Sequence, residues 1–394
     1  MSLPLAAADA ILARCSRDVA AARLAVAAAE ADLRIASQRP NPNFTLGASN
    51  VNPRAGIGAG TLRDKTFDSS VRIDQLVERG GKAELREEQA RFLVAAAQAS
   101  LAEEVRTQRL AMRTSFFDLA AAQERVRLQF EFRDLALQSA DASNERLRSG
   151  EVSRAEANRF RLDAARAAND ARQAQADRDR ARLDLAKLLG VESSAPSLEV
   201  RVEWPGEEPG NLAAGVRPDV AAAHRRLDAA LAGRALARSI ATRDVTLAAQ
   251  ADRWPVSETN IQGTGISYSL SVSVPLHVRH ANEGEAARGQ ADFDAAQAQA
   301  QRAEASADAE ARVAEADWRA ARERRERVER EVRPLARDVA EAAEFAYQHG
   351  ATGVLDLLDA RRSLKAVELD EVQALADASK AWARLAAARE KVAE

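Results

Sequence analysis

Apolar residues return with helical spacing along most of this chain. Between residues 78 and 148 they stand at intervals of seven, four and seven, at Leu119, Val126, Phe130 and Leu137. This heptad-like spacing predicts a helix that packs along its length against another helix. The stretch contains no proline, and its only glycines stand at its start. A helix of that length reaches roughly 100 Å, which favours a spanning structure over a compact globule.

Between the helical stretches, apolar residues alternate with polar ones, which is the period of a strand. From residue 266 to residue 276 the apolar side chains share one face and serines share the other. Three further stretches alternate in the same way, and strands of about ten residues cross a bilayer when tilted. A soluble two-sided sheet would show the same pattern. The strand residues that we expect to face a wet channel are Asp68, Arg72, Asp74, Asp244 and Asp252.

The order of elements occurs twice along the chain. The sequence Asp-Val-Ala-Ala-Ala at 18–22 recurs at 219–223, and Gly150 stands 200 residues before Gly350. The first predicted repeat, 1–190, holds a short helix, a β-hairpin over 42–76 and long helices over 78–148 and 151–189. The second, 217–394, holds a short helix, a β-hairpin over 244–276 and long helices over 281–348 and 353–392. The proline- and glycine-containing segment 191–216 predicts an irregular linker between them.

Four strands are too few to close a barrel, and an open sheet edge in lipid leaves backbone groups unpaired. Three copies would supply three times four, or twelve, strands and the same number of long helices. The predicted fold is therefore mostly α with a membrane β-barrel. In it, a duplicated chain forms a trimeric 12-strand β-barrel that continues into a 12-helix α-barrel.

Composition narrows the function classes. The chain has 57 Lys and Arg against 60 Asp and Glu, a net charge of −3, which argues against bulk attraction to nucleic acid. Its single cysteine, Cys15, excludes an internal disulfide framework. No signal peptide is visible at the amino terminus. The motifs of nucleophilic, phosphate-binding, dinucleotide-binding and zinc-protease enzymes are absent, so we predict no enzyme and no cofactor.

Two of the histidines have the spacing of metal ligands, but we expect no metal site there. His277 and His280 stand three residues apart, with Glu283 close behind, and these residue types bind transition metals. They lie at a predicted strand-to-helix junction, where the chain changes direction. We expect exposed junction histidines there and no metal site.

The duplicated order, together with several short motifs, resembles the TolC family of outer-membrane factors from about residue 9 to the carboxyl terminus. The motifs that carry the resemblance are Pro-Asn-Pro-Asn at 40–43, Gln-Leu-Val-Glu-Arg-Gly-Gly-Lys at 75–82, Val-Pro-Leu at 274–276 and Asn-Glu-Gly at 282–284. They are most similar to the branch that serves heavy-metal cation exporters of the cobalt-zinc-cadmium type.

The resemblance implies a homotrimer in the outer membrane of a Gram-negative bacterium, extending into the periplasm. It implies a passive conduit that contacts outer-membrane lipid, a periplasmic adaptor and an inner-membrane pump of the resistance-nodulation-division class. The alternatives are a duct of the same type for organic drugs or a secreted protein, or a soluble coiled-coil scaffold.

Two glycine breaks predict the tips of the long helical hairpins, at Gly150 and Gly350. Asp356 and Asp359 follow the second break, three residues apart on one helix face. In a trimer they would form two acidic rings, which favour cations. The alternative is that both aspartates only stabilise a helix N-terminus through its dipole.

The resemblance also implies a gate at these tips. It puts Tyr347 in the network that holds the tip closed, and Thr352 where some relatives have an arginine. Glu156 is the repeat equivalent of Asp356, and it completes the sequence Ser153-x-x-Glu156, which predicts a capping box. The sequence favours capping for Glu156 over contact with an adaptor or a neighbouring tip.

Overall fold

The computed structural model describes residues 2–51, 67–210, 215–256, 261, 263 and 265–391. The connections inside both predicted hairpins (52–66 and 257–260), part of the linker (211–214) and the last residue of the helix predicted over 353–392 lie outside the described residues. Within the described part, no helix is both long enough and apolar enough to cross a lipid bilayer.

Long helices dominate, with strands between them. The first half of the chain consists of β1 (Ser2–Pro4), α1 (Leu5–Cys15), α2 (Arg17–Ser37), β2 (Asn43–Ser49), β3 (Asp68–Val77), α3 (Lys82–Arg148), α4 (Arg154–Leu189), a 3₁₀ helix (Glu192–Ser197) and β4 (Glu199–Arg201). The second half consists of α5 (Pro218–Ser239), β5 (Val245–Trp254), β6 (Gly265–Ser273), α6 (Glu283–Arg327), a π-helical turn (Val328–Val332), α7 (Arg333–Gln348) and α8 (Val354–Ala388).

The helix predicted over 281–348 is not continuous. The π-helical turn separates α6 from α7, and Pro334 is the second residue of α7. Proline has no N–H to donate and its ring crowds the carbonyl four residues earlier. An inserted residue in a π turn relieves that crowding. The distortion caused by Pro334 therefore lies in the turn just before it.

Segment 191–216, predicted as irregular, contains regular structure. β4 pairs in parallel with β1, with Leu3 opposite Val200. Both side chains are buried in the same apolar cluster. A three-residue strand is too short to show a period in the sequence, so the prediction missed it.

The chain forms two compact units, and each unit draws on both halves of the sequence. The first comprises Met1–Ala25, Gln98–Ala221 and Arg302–Glu394. Its main core surrounds Phe116 and Phe117, whose rings meet edge to face with centroids 5.7 Å apart. Fully burying one such side chain contributes about 1.5–3 kcal/mol.

The second unit comprises Val26–Ala97 and Ala222–Gln301 and contains an antiparallel sheet in the order β2-β3-β5-β6. Its register puts like side chains in rows across the strands. One row runs Phe44, Ile73, Ala249, Leu270, and the adjacent row on the other face runs Thr45, Arg72, Gln250, Ser269. The apolar face is open to the surroundings, with Leu270 87% exposed.

Candidate functional site

The turns that end the two long hairpins have the same backbone geometry. The Glu151 N–H donates to the Arg146 carbonyl, and 200 residues later the Ala351 N–H donates to the Ala346 carbonyl, both at 2.8 Å. Gly150 and Gly350 have φ values of 81° and 71°, the left-handed conformation that ends a helix most readily at glycine. We call the two turns, 149–153 and 349–353, together the tip.

Capping side chains start the helix that follows each turn. Ser153 Oγ accepts a hydrogen bond of 3.2 Å from the Glu156 N–H at the start of α4. At the start of α8 the Gly353 N–H donates to the Asp356 carboxylate over 3.4 Å. The Asp356 carboxylate therefore lies at the helix N-terminus, where the alternative to a gating role expects it to interact favourably with the helix dipole. The Glu156 carboxylate is engaged elsewhere.

Tyr347 joins three helices at the tip. Its hydroxyl donates to Glu156 Oε1 on α4 over 3.0 Å and accepts from Arg146 Nη1 on α3 over 3.3 Å. Arg146 also contacts the Glu151 carboxylate in the first turn. Burial, and then the Glu156 acceptor, raise the pKa of Tyr347, so the hydroxyl keeps its proton and can donate.

A small apolar core supports this contact. The rings of Phe160 and Tyr347 meet with centroids 6.2 Å apart, and Leu357 and Leu358 of α8 are buried in the same cluster. Further along α8, Arg361 donates to Glu344 of α7 and, over 2.8 Å, to Ser139 Oγ of α3. The hairpin α7–α8 is thus fastened to α3 and α4 by polar contacts around an apolar centre.

Thr352 lies in the second turn of the tip, and Asp359 lies in the second turn of α8. Asp356, Asp359 and Thr352 are all exposed in the single chain. Within the described residues, the side chains of Asp359 and Thr352 make no hydrogen bond or ion pair. A carboxylate that is free in one copy can interact with ions or with another copy.

The polar strand residues contact one another along one face of the sheet. Arg72 forms a bidentate contact with Asp74 at 2.7–3.0 Å. Gln250 bridges from Arg72 to Asp252, which it reaches over 2.7 Å. Asp68 is held by a neighbouring asparagine side chain on the same hairpin. The carboxylates of this face therefore have partners.

Asp244 differs from the expectation that it lies on a strand. It precedes β5 and accepts from Lys82 Nζ over 2.8 Å and from the Arg79 N–H over 2.9 Å. The glycine-rich turn before α3 brings these donors to it, because Gly80 and Gly81 adopt positive φ. Asp244 fastens a strand-to-helix junction instead of extending the polar face.

The junction histidines are not assembled into a metal site. The Glu283 carboxylate accepts from the Ala281 N–H over 3.1 Å. Backbone hydrogen bonds from the Glu283 and Ala281 N–H groups lower the pKa of Glu283, as do the nearby His280 and His277 to a smaller extent. Across the described ranges, no group of three or more His, Cys, Asp or Glu side chains is placed to hold a metal ion.

Sequence reasoning missed Arg146, Phe160 and Arg361. Phe160 and Arg361 lie inside long helices, where nothing in the sequence distinguishes them from the other apolar and charged residues. Arg146 carried a weak signal, because it stands one residue before the repeat equivalent of Tyr347. Only the folded hairpins show that its guanidinium reaches the tyrosine.

Comparison with known proteins gives the family. The sequence profile of the family described as "Outer membrane efflux protein" matches residues 9–191 and 210–389. The cobalt-zinc-cadmium resistance protein CzcC of Cupriavidus metallidurans is 27% identical over 227 residues, which are 56% of this chain. The match spans about half of that relative's length, 54%.

Solved structures show the same fold over nearly the whole chain. CusC, described in terms of transmembrane channel formation, superposes with a TM-score of 0.81 at 18% identity, covering 98% of this chain and 91% of its own. VceC, an outer membrane protein of Vibrio cholerae, gives a TM-score of 0.80 at 19% identity, with 98% and 95% covered.

The matched family consists of efflux channels, which confirms the prediction that the chain is not an enzyme. Both halves of the chain match its profile, and the fold agrees with the resemblance drawn from the sequence. The chain belongs to the outer membrane efflux protein family, the TolC-type channels of the Gram-negative outer membrane.

Proposed function

We propose that this chain is the outer-membrane duct of a tripartite efflux system and exports heavy-metal cations. The duct is passive, and its periplasmic helical tip opens and closes it. The observation that carries the gate is the contact of Tyr347 with Glu156 and Arg146, because it fastens three helices at the point where they turn. The breaking of this contact is the first step of opening.

The assembly is a homotrimer. The described residues of one chain contribute four antiparallel strands, and the outer strands of this sheet are β2 and β6. Open strand edges are not tolerated in lipid. Three copies close the sheet, with the apolar face toward lipid and the face of Arg72 and Asp252 toward the channel. The tip then lies in the periplasm, where an adaptor and an inner-membrane pump of the resistance-nodulation-division class meet it.

Two features support a cationic cargo. The chain is related to a protein named for cobalt, zinc and cadmium resistance. Three copies of the exposed Asp359, with Asp356 one turn away, would put a carboxylate ring at the narrow end of the duct. The paired carboxylates of the sheet suit passage without tight binding, since a duct must release its ions.

The second candidate is a duct of the same type for organic drugs. The fold that this chain shares with CusC and VceC does not specify the cargo. Deleting the gene and testing growth on metal salts and on dyes or detergents decides between the cargoes. Sensitivity to divalent metal salts, reversed by the intact gene, supports the metal duct. Sensitivity confined to dyes or detergents replaces the metal by organic cargo.

Conductance tests the channel itself. Detergent-purified protein added to a planar lipid bilayer should give discrete current steps that are small at rest and blocked by divalent cations. The double variant Asp356→Asn, Asp359→Asn should weaken the block. Asp308→Asn, an exposed carboxylate of α6 in a surface ion pair with Arg312, is the matched control and should leave it unchanged. Full block in the double variant would remove both aspartates from the mechanism.

A further inference from the structure

One side of α4 carries a heptad pattern that none of the described residues covers. The residues at its a and d positions are exposed, and they are Ala155, Asn158, Leu162, Ala165 and Asn169. Leu162 is 51% exposed. Arginines occupy most of the flanking e and g positions, at Arg154, Arg159, Arg161 and Arg166, and all four are exposed. These flanking positions select the partner of a coiled-coil helix.

The positive charge of this face has a structural origin. The carboxylates of the same stretch stand at a spacing of seven, at Glu156, Asp163 and Asp170, and all three are engaged inside the chain. They bind Tyr347, Arg362 and Lys365. The four flanking arginines have no ion-pair partner among the described residues. The open face of α4 therefore carries a net positive charge within the described part of the chain.

A complementary face runs along α7. Its exposed a and d residues are Val332, at the end of the π turn, followed by Leu335, Val339 and Ala342. Leu335 is 64% exposed and Val339 is 57% exposed. The g positions before Val332 and Val339 are Glu331 and Asp338, both exposed and without an ion-pair partner in the described part of the chain. The apolar face of α7, which is flanked by acidic residues, is therefore complementary in charge to the arginine-flanked face of α4.

The two faces have the right direction to meet between copies. The Tyr347–Glu156 contact puts the end of α7 beside the start of α4, so α4 runs away from the tip and α7 runs toward it. Copies related by rotation about an axis along the helices therefore present α4 of one antiparallel to α7 of the next. In antiparallel heptads, g positions face g positions and e positions face e positions.

One register combines the charges with the apolar layers. When Leu162 packs on Leu335, Asn158 lies opposite Val339 and Arg161 faces Asp338, which is an opposite-charge pair. Shifting one helix by a heptad puts Leu162 on Ala342 and Arg161 opposite Phe345, and the charge pair is lost. Shifting the helix by a heptad in the other direction pairs Arg161 with Glu331, but it puts Leu162 on Val328, which is buried within its own chain. Charge complementarity and the exposed apolar residues together therefore select the first register.

We infer that α4 of one copy packs antiparallel on α7 of a second copy, with Leu162 on Leu335 and Arg161 paired with Asp338. The inference rests on the proposed function for the common orientation of the copies. It adds the helix faces, the register and the ion pair that join them. Three such contacts close a ring of three chains.

Disulfide crosslinking tests the register. In a Cys15→Ser background, the pair Leu162→Cys with Leu335→Cys should crosslink on mild copper-phenanthroline oxidation into dimers and trimers. The control pair Leu162→Cys with Ala342→Cys represents the shifted register, with Cβ atoms outside the roughly 4 Å that a disulfide bridges. Equal crosslinking of both pairs, or crosslinking of the control alone, overturns the inference.

Charge reversal tests the ion pair in the same protein. Arg161→Glu or Asp338→Arg alone should reduce crosslinking of Leu162→Cys with Leu335→Cys by about threefold to tenfold, and combining both reversals should restore it. Conductance and oligomeric state are measured on the same samples. A conducting trimer without the crosslink refutes the inference and leaves the proposed function standing. A monomer that neither conducts nor crosslinks refutes both.

Discussion

Removing one oxygen atom should open the tip. Tyr347→Phe keeps the ring that packs against Phe160 and deletes the hydroxyl that links Glu156 to Arg146. A hydrogen bond to a charged group contributes about 1.5–3 kcal/mol when buried. Because the contact is partly exposed and water replaces part of it, the net loss is about 1–2 kcal/mol. The ratio of closed to open tips then falls by about 5- to 30-fold.

Single-channel recording in a planar bilayer measures this ratio as the fraction of time spent open. The chain contains two tyrosines, and the other, Tyr268, is 81% exposed on the sheet. Tyr268→Phe is therefore the matched control and should leave the open fraction at its original value. Equal open fractions in Tyr347→Phe and the control would refute the role of the hydroxyl in closure.

The pH dependence of opening depends on the same hydroxyl of Tyr347. Burial and the Glu156 acceptor raise the pKa of Tyr347, so its stabilising contact is fully present below the ordinary tyrosine pKa of about 10. It is lost as pH rises through the higher pKa of the folded protein. Open probability should therefore rise at alkaline pH above about 10 in the original protein, and this rise should be absent in Tyr347→Phe. An identical alkaline rise in both proteins would assign it to another group.

Two further predictions concern stability. Asp219→Asn removes one of the two ion pairs of Arg217, which is 6% exposed. It should lower the free energy of unfolding by about 2–3 kcal/mol, below the usual 3–5 because Glu310 remains as a partner. Burial acts to raise the pKa of Asp219, but the hydrogen bond and the charge of Arg217 together lower it below its ordinary value. The loss of stability should therefore be full above about pH 4 and vanish as pH falls through that lowered pKa. Gly190→Ala should destabilise the fold more than Gly150→Ala. Both glycines have positive φ, but a Cβ at Gly190 would collide with the backbone carbonyl of Cys15, whereas a Cβ at Gly150 would meet open space. Equal melting temperatures for the two variants would refute the steric argument.

Local signals in the sequence accounted for much of the fold. The glycines at 150 and 350 gave the tip because a left-handed residue must end a helix there, and alternation gave the strands because the register follows the period of two. The parallel pair β1–β4 left no such signal, since three residues show no period. The π turn lies just before Pro334, where a proline in the sequence predicts that the helix is distorted.

Local signals also allowed part of the candidate site to be predicted from the sequence. The break beside Tyr347 is visible in the sequence, although the role of Tyr347 in the closed tip came from the family resemblance. The spacing after Ser153 pointed to Glu156 at the start of the following helix. The sequence assigned Glu156 to a capping box, because spacing shows only contacts within a turn. Its carboxylate instead reaches a residue 191 positions away. Arg146 became visible only when two hairpins distant in the sequence were laid side by side.

The spacing of carboxylates along α4 connects the gate with the assembly. Because Glu156, Asp163 and Asp170 recur every seven residues, all three turn toward α7 and α8 of their own chain and leave arginines on the outer face. In the inferred trimer α7 is then held twice, by Glu156 of its own chain through Tyr347 and by Arg161 of the neighbour through Asp338. Opening requires both contacts to yield, so Tyr347→Phe combined with Asp338→Asn should raise the open fraction more than either change alone. A double variant that opens no more than Tyr347→Phe would show that the contact between copies stays intact while the tip moves.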